Sequence, residues 1–370
     1  MAPMTLRLHP VDVLMFRETR WFGTGAGASE SVFPPPRTIA GALRTYLLDA
    51  CGANYGGIRT AMREARRKTG LAGYWPVLKT KLKEVAGAAW PVDAEIIGPF
   101  LGRDDERYFP VPRTIVRDLS GPVPTPASLR PVTVGSSPAR TLLATGSDLH
   151  WEPLPDGFIH GSDLQAYLEQ GTLPEHQILA ESAGEEVILK ETRVGVAIDG
   201  DTGTAAEGLL YTSTFSRLQK GWYLEVDLKL DSPGYEHMPE HVMERPWLRL
   251  GGDGKVARVE IVDKPWQPWS APASAVNTLI YLATPALFGG GSPTPSSVGT
   301  IRAAATGRPL AFSGWDLAAN LPMKSRYAVQ AGAVYFLDQA PAVQHGTCIS
   351  DDPEDRAAGW GYCLRGVWQA

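Results

Sequence analysis

Ile39, Ala42, Leu43, Tyr46 and Leu47 recur at the spacing that gathers side chains on one side of an α-helix. Thr38 stands where it can cap that helix, directly after Pro36 and Arg37. Such a stripe needs an apolar partner, and one lies just upstream. Residues 5–8 alternate apolar and polar, with Leu6 and Leu8 on one face, and Val11, Val13 and Met15 keep the period of two. A strand is expected over residues 5–8, continuing through 11–16, with Pro10 at a bulge or a sheet edge. A chain that opens with a strand and an amphipathic helix stacks helix on sheet.

The same reasoning extends along the chain. A second helix is expected over residues 58–69, with Arg59, Arg63, Arg66 and Arg67 on one face. Residues 95–117 read as two strands around Gly102-Arg103-Asp104-Asp105. Residues 118–185 show little periodicity and many Pro, Gly and Ser, and read as a long insertion with a short helix at 162–170. Residues 193–213 read as a long hairpin. Leu224, Val226, Leu228 and Leu230 alternate with Glu225, Asp227 and Lys229, a strand over 222–230. A helical segment at 239–247 and a strand at 256–262 follow.

Pro265, Pro268 and Pro272, with Trp266 and Trp269, form a stiff connection, which puts a domain boundary between residues 266 and 267. Beyond it, strands are expected at 278–283, 310–312, 328–337 and 362–367, with a Gly/Pro/Ser loop at 289–298. The order of residues 1–266 is strand, helix, insertions with hairpins, strand, helix, strand. That is the ferredoxin-like βαββαβ order of an α+β fold, with the insertions in its middle.

Charge narrows the function. The 370-residue chain has a net charge of −5, yet residues 1–90 hold 13 Lys and Arg against six acids, a local +7, which leaves −12 for the rest. A basic quarter on an acidic body suits a polyanion or an acidic protein partner, and equally an ordinary solvated helix surface. Hydrophobic residues at 44 % and charged residues at 20 % exclude a disordered chain, a coiled coil and a collagen. Three cysteines without metal-type spacing suit a reducing compartment. No stretch reaches the roughly 18 apolar residues of a membrane helix, so a cytoplasmic, membrane-free protein is expected.

Catalytic and metal signatures are weak. His237 and His241 are four apart, but Pro239 lies between them and no third ligand follows at a familiar spacing. Gly251-Gly252-Asp253-Gly254-Lys255 lacks phosphate-loop spacing and precedes a strand, so it reads as a tight turn. Asp104-Asp105 and Asp351-Asp352 read as solvated surface. No catalytic residue, metal or cofactor is expected. His9 is the one histidine near the basic segment, and a metal-independent ribonuclease would use it as general acid or base.

Two N-terminal blocks are distinctive: Asp12-Val13-Leu14-Met15-Phe16-Arg17-Glu18-Thr19-Arg20-Trp21-Phe22 and Phe33-Pro34-Pro35-Pro36-Arg37-Thr38-Ile39-Ala40-Gly41-Ala42-Leu43-Arg44. They resemble the opening of the third subunit of the type III-B CRISPR Cmr effector complex, in the RAMP superfamily group that binds the 5′ end of the guide RNA. Blocks at 97–101, 108–112, 193–199, 205–211, 248–254, 331–336 and 359–362 resemble later parts of that family, in order. The resemblance implies two ferredoxin-like (RRM-like) domains, residues 1–266 with large insertions and a hairpin thumb, and a degenerate one at 267–370. It implies a non-catalytic subunit that caps the crRNA 5′ handle. The implied partners are the large polymerase-like signalling subunit, the first RAMP backbone subunit, and target RNA through the guide duplex.

A single-stranded handle needs cations for phosphates and flat surfaces for bases. Arg17, Arg20, Arg37 and Arg44 are the expected phosphate contacts, with Trp21, Phe22 and Phe33 for stacking, Trp21 and Phe33 equally for the core. The N–H groups of Thr38 and Ile39 are expected to receive a phosphate at the helix start. Lys324 and Arg326, before a late strand, reach the same RNA or a protein partner. Two other readings stay open: a RAMP endoribonuclease processing precursor crRNA through His9, and the equivalent subunit of a type III-A complex.

Overall fold

The computed structural model describes residues 4–16, 33–53, 55–69, 74–120, 125–135, 140–145, 150–154, 157–171, 179–180, 187–198, 200–230, 238–274, 276–316, 321–322 and 324–369. It is a mixed α/β structure with more strand than helix. Strand β1 (Met4–Pro10) turns Met4, Leu6 and Leu8 into one apolar cluster with Ile39, Leu43, Tyr46 and Leu47 of helix α1 (Pro36–Ala50). Each such side chain contributes about 1.5–3 kcal/mol on burial, enough to fix which face of the strand meets the helix.

Three local expectations fail here. Helix α1 starts at Pro36 with Pro35 as its cap, so Thr38 sits inside the first turn. Proline at the first helical position has the helical φ and lacks the N–H that would go unused there. The strand does not continue over residues 11–16. Only Leu14 pairs, in an isolated bridge to Ser216. Pro10 is neither at a bulge nor at a sheet edge: it ends a central strand.

Helices α2 (Tyr55–Thr69), α3 (Tyr74–Ala86) and α4 (Trp90–Asp93) follow. Ile58, Ala61 and Ala65 of α2 pack on Leu78 and Leu82 of α3, leaving Arg59, Arg63 and Arg67 exposed. Strands β2 (Glu95–Arg103) and β3 (Glu106–Pro110) are joined, as expected, by Asp104 and Asp105, both at positive φ.

The segment at 118–185, read as a long insertion with one short helix, is richer in strands than expected. Strand β4 (Ile115–Asp118) leads into it, and it holds β5 (Thr125–Ser128), β6 (Arg130–Val134), β7 (Arg140–Ala144), β8 (Trp151–Pro153), β9 (Gly157–His160), the expected helix as α5 (Gly161–Gln170), and β10 (Leu179–Ala180). The strands are short, two to five residues each, so they carry too little apolar alternation to read.

The hairpin is present and longer than read, β11 (Ile188–Ile198) against β12 (Ala205–Leu218). Then come β13 (Tyr223–Lys229), α6 (Met238–Glu244), β14 (Trp247–Arg249) and β15 (Val256–Val262). The large sheet runs β10-β9-β3-β2-β13-β1-β15-β14, with antiparallel neighbours throughout.

A second sheet uses only strands after residue 275. The elements there are β16 (Val276–Leu282), β17 (Ile301–Ala305), β18 (Leu310–Phe312), β19 (Trp315–Asp316), β20 (Leu321–Pro322), β21 (Arg326–Ala328), β22 (Val334–Gln339), β23 (Thr347–Cys348), α7 (Pro353–Ala357) and β24 (Tyr362–Val367). The sheet order is β17-β22-β16-β24-β23. The strand expected over 328–337 is two strands, because Gly332 at φ 85° turns the chain between them. The two sheets share a core in which Phe100, Phe109, Leu164 and Leu168 meet Leu279, Tyr281, Phe336, Leu364 and Trp368.

Candidate nucleic-acid interface

Helix α1 presents Arg37 and Arg44 toward α7, across more than 300 residues of chain. Arg37 Nη2 lies 3.3 Å from Asp355 Oδ1, and Arg44 Nη2 donates to the Ala357 carbonyl at 3.2 Å. Arg326, at the start of β21, places its Nη2 2.7 Å from Asp355 Oδ2. Lys79 of α3 pairs with Glu354 at 2.8 Å. Four cations therefore converge on one five-residue helix. Asp352 starts that helix by accepting the Glu354 N–H at 2.8 Å, so it caps the helix while staying exposed, as expected of it. Burial pushes the Arg44 pKa down, with Glu354 and Asp93 working against that shift.

Three of the expected contact residues, Arg37, Arg44 and Arg326, are thus brought together, and Lys324 is exposed two residues from Arg326. The backbone donors at Thr38 and Ile39 are not open as expected. Both N–H groups donate to the Pro35 carbonyl, at 2.9 and 3.4 Å, because the helix begins three residues earlier than Thr38 capping would place it. Phe33 packs its ring 5.7 Å from Phe158 at the rim of the main core. Arg17, Arg20, Trp21 and Phe22 lie outside the described residues. The sequence reading missed Asp355, Glu354 and Lys79. The Asp352-Pro353 pair, a capping residue before proline, was the available signal for α7.

The hairpin is a second candidate surface. Its two strands form a sheet of their own, and Val194 and Ile198 are 70 % and 62 % exposed toward its far end. Its base is pinned. Arg217 bridges Asp12 at 2.8 Å and Glu191 at 2.6 Å, and Arg193 bridges the same two carboxylates at 3.2 and 2.6 Å. Arg193 and Lys255 both lie over the Phe215 ring.

His9 sits in β1 with Nε2 3.1 Å from Glu260 and its ring 5.3 Å from Tyr223. Burial pushes its pKa down despite Glu260. His241 packs edge-on against Tyr46, while His237 lies outside the described residues. Among the described residues no group of three or more His, Cys, Asp and Glu side chains is placed to hold a metal. Gly251, Asp253 and Gly254 all have positive φ, as a tight turn requires. Among the described residues no helix is long and apolar enough to cross a membrane.

The model of one protein family, CRISPR-associated protein (Cas_Cmr3), matches residues 6–368. The chain belongs to the Cas_Cmr3 family. As a Cas_Cmr3 member it is a subunit of a type III CRISPR effector complex, and the resemblance drawn from the two N-terminal blocks holds. No curated protein matches the sequence of this Cas_Cmr3 chain. Solved structures similar to it include a chain of the type III-B Cmr-beta complex bound to cognate target RNA and AMPPnP, 18 % identical, with 90 % of this chain and 86 % of that one covered and a TM-score of 0.47. A chain of the Csm3–Csm4 subcomplex of the type III-A interference complex is 12 % identical, with 99 % and 100 % covered and a TM-score of 0.42. A chain of the Csm1–Csm4 cassette in complex with pppApA is 10 % identical, with 99 % and 95 % covered and a TM-score of 0.36.

Proposed function

We propose that this chain is a non-catalytic subunit of a type III-B effector that binds and caps the 5′ handle of the guide RNA and docks the large polymerase-like subunit. Membership of the Cas_Cmr3 family over residues 6–368 is the observation that carries the reading. The arrangement of charge supports it. The basic N-terminal quarter reaches α7 through Arg37, Arg44 and Lys79, where Arg326 joins them. A cationic surface of that kind suits a single-stranded backbone.

The strand order also suits a ferredoxin-like unit. Strands β2-β13-β1-β15 are neighbours, with α1 following β1 and α6 following β13, which is the order such a unit has. The hairpin, standing apart with exposed apolar side chains, suits a thumb at the guide–target duplex. The endoribonuclease reading is less well supported. His9 is held between Glu260 and Tyr223 within a sheet, as a structural histidine would be.

Purifying the tagged chain from its native host, sequencing the RNA and identifying the proteins tests this reading. Guide RNAs sharing one 5′ handle, recovered with a large polymerase-like subunit, are the expected result. Freshly cut repeat RNA without partners, its cutting lost in His9→Ala, would replace this reading with the endoribonuclease.

A further inference from the structure

Asp355 is buried, its side chain 3 % exposed, but the two guanidinium groups it contacts are not: Arg37 is 43 % and Arg326 is 37 % exposed. The two arginines come from distant parts of the chain, the first turn of α1 and the start of β21. Each takes one carboxylate oxygen, at 3.3 and 2.7 Å. The neighbouring acid, Glu354, is paired with Lys79 at 2.8 Å. The Asp355 charge therefore lies underneath, and above it stand two guanidinium groups, with Lys324 exposed nearby and Glu354, itself 37 % exposed, held by Lys79.

Two like charges held this close repel each other, and a carboxylate beneath them offsets that repulsion while setting their orientation. It leaves the pair with one net positive charge. Paired guanidinium groups match the oxygens of a phosphodiester, and holding them in place beforehand lowers the ordering cost of binding.

The geometry points to Asp355 as a positioning residue that yokes Arg37 and Arg326 into a clamp for one phosphodiester of a bound RNA strand. This rests on reading the chain as a guide-RNA-binding subunit. A latch that merely holds α7 against α1 has the opposite electrostatic signature. Neutralising Asp355 adds positive charge, so a surface that attracts RNA through net charge alone binds more tightly after the change. A clamp binds less tightly, because its two halves swing apart.

The test titrates the full-length chain with a fluorescent oligoribonucleotide carrying the guide 5′ handle, over a series of salt concentrations. Asp355→Asn is expected to weaken binding about threefold to tenfold, and to lower the slope of log affinity against log salt by about 0.7, the value for one phosphate contact on a single strand. Arg326→Gln is expected to lower the slope equally, and the double variant to be no weaker than the weaker single, since both changes remove one unit. Binding by Asp355→Asn that is equal or tighter, with an unchanged slope, overturns the clamp while the RNA-binding reading stands. An oligoribonucleotide that fails to bind the wild-type chain defeats both. Should Asp355→Asn fail to fold by thermal melting, the exposed Arg326→Gln decides alone, and an unchanged slope there overturns the clamp.

Discussion

Arg107 donates two hydrogen bonds to Asp227, Nη1 to Oδ2 and Nη2 to Oδ1, both at 2.8 Å, with its side chain only 1 % exposed. Its Nε donates to Glu225 at 2.7 Å, and Thr5 Oγ1 donates to Asp227 at 2.7 Å. Phe100 and Trp266 lie against the guanidinium, with ring centroids at 4.5 and 4.4 Å. Burial opposes the charge on Arg107, but Asp227 and Glu225 outweigh it and raise its pKa. Trp266 belongs to the connection between the two sheets, so this buried pair also fastens that connection to the large sheet.

Arg107→Met removes the cation and leaves two buried carboxylates without it. The expected loss is about 3–5 kcal/mol of folding stability, read as a lower urea midpoint. Arg107→Lys keeps the charge without the fork and should fall between the two. A midpoint unchanged in Arg107→Met would show that the network contributes nothing net.

The strand that carries this network was legible in the sequence, and its chemistry was not. Alternation placed Leu224, Val226 and Leu228 inward correctly. It also assigned Glu225 and Asp227 to the polar face, yet both are buried because Arg107, more than 100 residues away, neutralises them. Periodicity reports which face a residue takes and not what waits there. The same limit hid the site. Arg37 and Arg326 were legible as cations, but the acid that joins them sits in a helix of five residues, too short to show a 3.6-residue period. Strand β15 and helix α1 were legible because each buries one continuous stripe.

Glycine positions divide sharply. Gly359 has φ 88°, and a Cβ there would stand 2.6 Å from the Ile96 carbonyl oxygen, in β2 of the other sheet. Gly254 has φ 64° with open space around it. Gly254→Ala should cost about 1–2 kcal/mol, the penalty of the left-handed conformation alone. Gly359→Ala adds a backbone clash, for about 1–3 kcal/mol more. Urea midpoints of the two variants check the ranking, and equal costs would contradict the close approach.

His345 accepts the backbone N–H of Arg365 through Nδ1 at 3.0 Å. Burial, then the charge of Arg365, pushes its pKa below the ordinary 6.5, and burial moves His9 and His241 the same way. The folded state therefore favours the neutral ring. Stability is held above 6.5 and is lost as pH falls through the lowered values. Urea unfolding at about pH 7 and about pH 5 should show this loss, and His345→Asn should make it smaller. A fall of the same size in the variant would assign the effect to other groups.

At the hairpin base, hydrogen bonds from Arg217 and then Arg193 hold Asp12 below its ordinary 3.8 and Glu191 below its ordinary 4.5. The ring of charges is complete at neutral pH and is lost as pH drops below those values. Amide exchange over β11 and β12, corrected for intrinsic rates, should speed up in acid. Asp12→Asn should reproduce part of that change at neutral pH. Identical protection in the variant would mean that backbone pairing alone fixes the hairpin.

Leu14 and Ser216 exchange both backbone hydrogen bonds, at 2.8 and 2.9 Å, and the next carbonyl, that of Met15, accepts from Gly252 at 2.9 Å. The hairpin is thus a lever whose fulcrum is the segment leaving β1. Residues 14 and 15 therefore couple the hairpin to the glycine turn at the sheet margin, so the two cannot be displaced independently without breaking one of these three hydrogen bonds.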